Sequence, residues 1–192
     1  MLFVAGAAVF IWSGIAPFDR ETWVMEIFPI AFALPVLYFT RARFPLTRML
    51  YWLILLHAVI LMVGGHYSYA RVPLGFWMER VLGFTRNHYD RIGHIAQGFI
   101  PALIAREVLL RTSPLKRGRW LFFLVLTTCM AISMMYEFIE WWTAVAAGSG
   151  ATEFLGTQGD VWDTQWDMFM ATVGAILAQV TLARVQDRQL GN

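Results

Sequence analysis

Residues 49–65, MLYWLILLHAVILMVGG, form a run without a single Asp, Glu, Lys or Arg. A helix needs about 20 apolar residues to cross a bilayer core of roughly 30 Å, within a range of roughly 17 to 25, so this run predicts a transmembrane helix. We therefore expect an all-α fold, a polytopic membrane helix bundle of about six transmembrane helices, built as a single integral membrane domain over residues 1–192. The other five segments of suitable length are residues 2–17, 23–40, 92–110, 120–147 and 167–185.

The composition of the whole chain also indicates a membrane protein. Of 192 residues, 58% are hydrophobic and 15% are charged, and the mean hydropathy is +0.56, whereas a soluble domain carries about a quarter charged residues. These values argue against a disordered chain and against a nucleic-acid-binding domain, since Lys116 is the only lysine. Cys129 is the only cysteine, which excludes an intramolecular disulfide and a cysteine-based zinc site.

Basic residues are concentrated on one side of the predicted bundle. They lie in the loops RARFPLTR (residues 41–48) and RTSPLKRGR (residues 111–119) and in the C-terminal tail. Because short cytoplasmic loops retain Arg and Lys, we expect this side and both termini to be cytoplasmic. On the opposite, outer face we expect an interfacial segment at about residues 71–91, where apolar residues are interspersed with arginines.

Polar and ionisable residues gather at the predicted outer ends of four spans. Within each block they recur at helical spacing, which places them on one face of a helix. Ionisable groups inside membrane spans are costly and usually face the bundle interior or a wet cavity. The residues are Asp90, His94 and Gln97 in NHYDRIGHIAQGF (87–99), Ser133, Glu137 and Glu140 in SMMYEFIEWW (133–142), Asp160, Asp163 and Asp167 in GDVWDTQWDMF (159–169), and His66 and Tyr67 in GGHYSYA (64–70).

Carboxylates packed at one depth repel each other unless a cation or bound protons compensate their charge. A divalent metal removes this conflict. Oxygen ligands suit Mg²⁺, Mn²⁺ or Ca²⁺, and an imidazole ligand shifts the preference toward Mn²⁺, Fe²⁺ or Zn²⁺. We therefore expect a divalent metal bound by a set of His and carboxylate ligands: Asp90, His94, Glu140, Asp163 and Asp167.

A metal at the outer face would suit an enzyme that acts on a lipid or a lipid-linked anionic substrate. The expected catalytic residues are Glu137, as general base toward a metal-activated water, and Asp163. Guanidinium groups bind phosphate and carboxylate in a bidentate manner, so arginines are expected to hold the anionic group. The expected substrate-binding residues are Arg71, Arg91, His66 and Tyr67.

Many of these residues also have a purely structural explanation, although helix capping explains Asp163 and Asp167 less well because they lie deeper. Asp160 can cap the last helix, and His94 can donate to a buried carboxylate without any metal. Glu137 and Glu140 can face water or pair with Arg91. Two other functions stay open, a divalent-cation or proton-coupled transporter and a non-catalytic accessory protein. The absence of an internal repeat in the sequence argues against the transporter, and neither the substrate nor the oligomeric state follows from the sequence.

Four blocks together resemble a known family. GGHYSYA, NHYDRIGHIAQGF, EFIEWW (137–142) and FLGTQGDVWDTQWDMFMATVGA (154–175) are similar to the YjdF-type family of bacterial inner-membrane proteins. The resemblance implies an all-helical fold and a location in the bacterial cytoplasmic membrane, and it implies no particular activity. Residues 163–178 also resemble the last helix of VanZ-like proteins, but Met170 or Ala171 stands where that helix has an Asn, so no function is carried over.

Overall fold

The computed structural model describes residues 2–147 and 157–191, which contain seven α-helices and no strand. The predicted all-α class is therefore confirmed. A short 3-10 helix, Tyr69–Arg71, follows the third α-helix. The α-helices are α1 Leu2–Gly14, α2 Arg20–Thr40, α3 Arg48–Tyr67, α4 Pro73–Leu82, α5 Tyr89–Thr112, α6 Arg119–Ala147 and α7 Asp163–Gln189.

Four of these helices, α2, α3, α6 and α7, are long and apolar enough to cross a membrane. The chain is thus a multi-pass membrane protein. Helix α1 has 13 residues, and at about 1.5 Å per residue it is only about 20 Å long, shorter than a bilayer core. Helix α5 has 24 residues and sufficient length, but charged residues occur near both of its ends. The predicted count of six spans therefore requires that α1 and α5 also cross the membrane.

Large apolar side chains cover the outside of the bundle. Phe3, Phe39, Trp120, Val145 and Val180 each expose between 69% and 79% of their surface. A soluble protein rarely exposes so many large apolar side chains, whereas lipid tails solvate them without penalty. This surface is the part of the protein that faces the bilayer.

Helix α5 lies at the centre of the bundle. It packs against α3, α6 and α7, and its contact with α7 is the most extensive in the protein. Buried residues occur along it from Tyr89 to Glu107. Its middle is surrounded by an apolar cluster that includes Leu50, Leu103 and Val125. Because α5 is central, the charged groups near its two ends need partners inside the protein.

Two glycines allow α5 and α7 to touch. A Cβ atom at Gly98 would overlap the carbonyl oxygen of Ala171, and a Cβ atom at Gly174 would overlap that of Ile95. Small residues of this kind let the backbones of membrane helices approach closely. Gly98 lies one turn after His94 and Ala171 lies one turn after Asp167, so this contact brings the predicted ligands on α5 and α7 together.

A buried polar network joins three helices at the other end of α5. The fully buried Glu107 accepts hydrogen bonds from the backbone nitrogen and Oγ1 of Thr47, at 3.1 and 2.8 Å. Gln186 donates to the second carboxylate oxygen at 3.3 Å, and Arg106 lies 2.8 Å from Asp187. The network ties the start of α3 and the end of α7 to α5.

Candidate functional site

Asp90, His94 and Asp167 form the centre of the candidate site. Nε2 of His94 lies 3.5 Å from Oδ1 of Asp90 and 3.8 Å from Oδ1 of Asp167. One potential ligand atom from each residue lies within 4.8 Å of the other two. His94 and Asp167 are buried. The structure thus brings together three of the five residues that the sequence predicts as metal ligands.

The start of α5 is held in place by Asn87. Its Oδ1 accepts a hydrogen bond from the backbone nitrogen of Tyr89 at 3.1 Å, and its Nδ2 donates to the carbonyl of Val72 at 3.0 Å. Gln158 also bonds to its backbone, at 2.8 Å to the carbonyl and 3.2 Å to the nitrogen. These bonds fix where α5 begins. The i, i+4 spacing then sets Asp90 beside His94.

Gln97 sets the orientation of the His94 ring. Nδ1 of His94 lies 2.9 Å from Oε1 of Gln97. An amide oxygen only accepts, so Nδ1 is the donor in this pair. Nε2 therefore faces the two carboxylates. In the neutral ring it offers a lone pair to a metal, and in the protonated ring it is a second hydrogen-bond donor.

A cluster of arginines and aspartates lies beside this centre. Arg86 NH2 is 2.7 Å from Oδ1 of Asp163, and Arg91 NH2 is 3.1 Å from Oδ2 of Asp160. Nε of Arg91 is 3.9 Å from Oδ1 of Asp167. Asp163 is thus held by Arg86, and Arg91 connects this cluster to the metal-ligand candidates.

Asp160 lies in the loop before α7, where it contacts both the loop backbone and nearby arginines. Its Oδ1 accepts a hydrogen bond from the backbone nitrogen of Trp162 at 3.0 Å. This bond, together with the nearby Arg86 and Arg91, lowers the pKa of the Asp160 carboxyl below its ordinary value. Asp160 therefore remains a carboxylate near neutral pH and helps to hold the two arginines.

A cavity of about 200 Å³ opens next to His94 and Asp90. Glu140 on α6 and Asp167 on α7 line it, so a fourth predicted ligand borders the same space. Helix α2 contributes Glu26, and His57 of α3 borders the cavity as well. Among the described residues, the wall of this cavity includes four carboxylates and two histidines but no lysine or arginine.

Two tyrosines in the cavity wall escaped the sequence reasoning. Tyr69 is buried, and a Cβ atom at Gly64 or at Gly93 would overlap its ring. Tyr136 precedes Glu140 by one turn of α6 and lines the same cavity. The sequence feature that could have indicated Tyr69 is a glycine in each of two predicted spans, because these glycines leave space for an aromatic ring. Only the packing of the helices shows that the ring of Tyr69 fills this space.

Glu137, the predicted general base, is buried on α6. Neither of its carboxylate oxygens makes a hydrogen bond among the described residues, although the Thr164 side chain lies nearby. The buried hydroxyl of Ser133, one turn earlier, is likewise without a hydrogen bond in that part of the chain. Such a pair of unsatisfied buried groups is unusual in a folded protein.

Three of the predicted substrate-binding residues lie elsewhere. Nδ1 of His66 is 3.0 Å from the carbonyl of Ser13, and its ring centre is 4.5 Å from that of Trp12. Tyr67 packs against the same tryptophan, and the Arg71 guanidinium lies 4.0 Å from the centre of the Phe18 ring. These three residues do not line the cavity. Their role toward a substrate stays a prediction, whereas Arg91 lies beside the site.

Comparison with known proteins extends over almost the whole chain. Residues 1–188 match a family described as a predicted membrane protein, DUF2238. The chain is 52% identical to the inner membrane protein YjdF of Escherichia coli (strain K12) over 182 residues, which cover 95% of this chain and 87% of that relative. No solved structure matches the chain. The resemblance to YjdF-type proteins is thereby confirmed, and the chain belongs to the DUF2238 family of membrane proteins.

Proposed function

We propose that the protein binds one divalent metal through Asp90, His94 and Asp167 and uses it to hydrolyse or transfer a group on a lipid or lipid-linked substrate. The observation that carries the proposal is the spacing of the three ligand atoms, all within 4.8 Å of one another. Two ligands of one ion, each about 2.1 to 2.4 Å from it, are at most about 4.2 to 4.8 Å apart. The three atoms therefore fit around a single ion.

The charge of the cavity supports a cation as its occupant. In the part of the chain that the structure describes, its wall holds the carboxyl groups of Glu26, Asp90, Glu140 and Asp167 and no lysine or arginine. A divalent ion relieves the repulsion among carboxylates at this depth. The imidazole of His94 favours Mn²⁺, Fe²⁺ or Zn²⁺ over Mg²⁺ and Ca²⁺.

The residues around the centre suit a hydrolytic reaction. A bound metal lowers the pKa of a coordinated water and polarises the bond to be cleaved. Glu137, buried and without a hydrogen bond among the described residues, is the base that accepts the proton as the water oxygen bonds to the substrate. Glu137 would then pass this proton to the leaving oxygen, which restores its carboxylate. Arg91, whose Nε lies 3.9 Å from Oδ1 of Asp167, is the proposed partner of an anionic substrate group.

We also propose that all six helices α1, α2, α3, α5, α6 and α7 are embedded in the bilayer and that the metal site faces the periplasm. The support is the distribution of charge along α5. Its first residues adjoin the acid cluster, and its last residues adjoin the loop that holds Lys116, Arg117 and Arg119. By the positive-inside rule, the basic end is cytoplasmic.

Metal analysis of the purified protein tests the binding step. The protein is purified without chelators or nickel resin, incubated with Mn²⁺, desalted and analysed for metal per chain. We expect near-stoichiometric metal in the wild type, a loss of it in Asp90→Asn and Asp167→Asn, and no change in the exposed control Glu21→Gln. A folded wild type that retains no metal would overturn the proposal and favour an accessory protein with a hydrogen-bonded polar network.

Analysis of lipid products tests the catalytic step separately. Membrane lipid extract is incubated with the metal-loaded protein and compared by mass spectrometry with extract incubated with Glu137→Gln. We expect Glu137→Gln to keep its metal and to lose product formation by about 10²- to 10⁴-fold, the usual contribution of a general base. Equal product profiles for the two proteins would contradict the assigned role of Glu137.

A carrier of divalent cations or protons is the second candidate. The observation that favours it is the extent of the cavity, which reaches His57 in the middle of α3 and borders Pro29 and Pro101 inside α2 and α5. Carriers hold their sites near the midplane at interrupted helices. Uptake of Mn²⁺ into sealed proteoliposomes, abolished in Asp90→Asn, would favour this candidate over the enzyme.

A further inference from the structure

A second cavity, of about 700 Å³, opens at the end of the bundle opposite the acid site. The loop between α2 and α3, the loop between α5 and α6, and the ends of α5 and α7 form its wall. The basic residues in the wall are Arg111, Lys116 and Arg117, and among the apolar ones are Leu46, Leu110 and Leu115. No Asp or Glu of residues 2–147 and 157–191 lines it.

The basic groups around this cavity are only partly neutralised. Arg111 pairs with Glu107 at 2.8 Å, and Arg106 and Arg117 share Asp187, each at 2.8 Å. Lys116 is exposed and makes no ion pair among the described residues. Among the described residues, the three basic wall residues and the buried Arg106 have two carboxylate partners between them, so a net charge of +2 remains around the cavity.

The cations are held in place before a ligand arrives. NH1 of Arg111 donates to the carbonyl of Pro45 at 2.6 Å, and its guanidinium lies 3.6 Å from the centre of the Phe44 ring. Arg117 reaches Asp187 through Nε, which leaves its terminal nitrogens as donors. A donor that is already fixed loses little entropy when it binds an anion.

We propose that this cavity binds a phosphate group, supplied by the headgroup of an anionic phospholipid whose acyl chains run along the leucines of the wall. Guanidinium and ammonium groups together recognise phosphate, and basic pockets between transmembrane helices bind anionic headgroups. The cavity is much larger than a free phosphate, and its wall combines basic with apolar side chains, which matches a lipid. This inference uses different residues from the metal site and does not depend on it.

The test compares lipid and free phosphate as ligands. Delipidated protein in detergent is titrated with phosphatidylglycerol, phosphatidylcholine or inorganic phosphate, and bound ligand is measured by native mass spectrometry and by thermal stabilisation. The variants are Lys116→Gln and the double variant Lys116→Gln with Arg117→Gln. The matched control is Arg43→Gln, an exposed basic residue at the same end of the bundle that does not line the cavity.

We expect phosphatidylglycerol to bind more tightly than phosphatidylcholine, and the double variant to weaken its binding by about tenfold. Lys116→Gln alone gives a smaller loss, and Arg43→Gln gives none. Saturable stabilisation by inorganic phosphate with the same dependence on these variants would support the phosphate site with a free anion as its ligand. Equal binding by the double variant, the control and the wild type would overturn the proposal. Since Lys116 is exposed, its single variant keeps the test valid even if Arg117→Gln disturbs the fold.

Discussion

His94 on α5 and Asp167 on α7 face each other with 3.8 Å between Nε2 and Oδ1, one helical turn from the place where the two backbones touch. The contact is possible because Gly98 and Gly174 carry no side chain. The geometry of the candidate site is therefore coupled to helix packing in the bundle core. Changes far from any ligand atom should then alter the site.

Replacement of Gly98 by alanine tests the close contact between α5 and α7. The added Cβ atom would overlap the Ala171 carbonyl oxygen, so α5 and α7 must move apart. We expect Gly98→Ala to lower the free energy of unfolding by about 1 to 3 kcal/mol, seen as a lower midpoint in thermal unfolding in detergent. Gly6→Ala is the control, because its Cβ atom meets only the end of the Leu55 side chain, at 3.3 Å. An unchanged midpoint for Gly98→Ala would contradict the close contact.

Gln97 should matter for metal affinity although it is not proposed as a ligand. Its oxygen fixes the ring of His94 through the 2.9 Å contact with Nδ1. We expect Gln97→Ala to weaken Mn²⁺ binding by about 10- to 100-fold, as for other residues that orient a histidine ligand. Isothermal titration with Mn²⁺ measures this. Gln179→Ala, a buried glutamine on α7 that bonds only to backbone carbonyls, should leave the affinity unchanged.

Glu107 should be one of the most sensitive positions for stability. It is fully buried and accepts bonds from Thr47, Gln186 and Arg111. Its removal leaves the buried donors of Thr47 without their acceptor and Arg111 without its ion-pair partner, so we expect Glu107→Ala to cost about 1 to 3 kcal/mol. Chemical unfolding in mixed micelles would measure the loss. The exposed Glu21→Ala should stay within about 0.5 kcal/mol of the wild type, and a comparable change in both variants would be evidence against the network.

Asp160 should give stability a dependence on acid pH. Because its pKa is lowered in the folded protein, its contribution is fully present above its ordinary pKa of 3.8 and is lost as the pH falls through the folded pKa. Asp160→Asn removes the contribution at every pH. We expect the difference in unfolding midpoint between wild type and Asp160→Asn to be constant near neutral pH and to shrink below about pH 3.8. A difference in unfolding midpoint that grows as the pH falls would contradict this prediction.

The orientation in the membrane can be measured with single cysteines. The buried Cys129 is replaced by alanine, and cysteine is introduced at Val161, which is 84% exposed, or at Lys116. In intact cells with a permeabilised outer membrane, a membrane-impermeant maleimide should label the cysteine at position 161. Labelling at position 116 should require disruption of the inner membrane. The reverse pattern would place the acid site in the cytoplasm.

Sequence spacing was sufficient for the parts of the site that lie on one helix. Asp90 and His94 are four residues apart, and helix geometry alone puts them on one face. Ser133 and Glu137 on α6 follow the same rule. Contacts between residues on different helices were harder to predict. The sequence indicates the depth of a side chain in the membrane but not which helix lies next to it. His66 and Tyr67 were predicted at the depth of the site and Arg71 above it. The structure places the three side chains against Trp12 and Phe18, outside the cavity wall.

The amino-acid sequence by itself determined that this chain is an all-helical membrane protein with one basic and one acidic end, because apolar length and charge are local properties of the chain. Tertiary structure decided which polar groups meet. The bare backbone at Gly98 and Gly174 let α5 and α7 touch, which joined Asp167 to Asp90 and His94. Asp163 forms an ion pair with Arg86 instead, and Glu140 lines the cavity. Contacts between helices depend on the volume of the side chains where the helices meet. The spacing of residues along one helix does not predict how those volumes fit together.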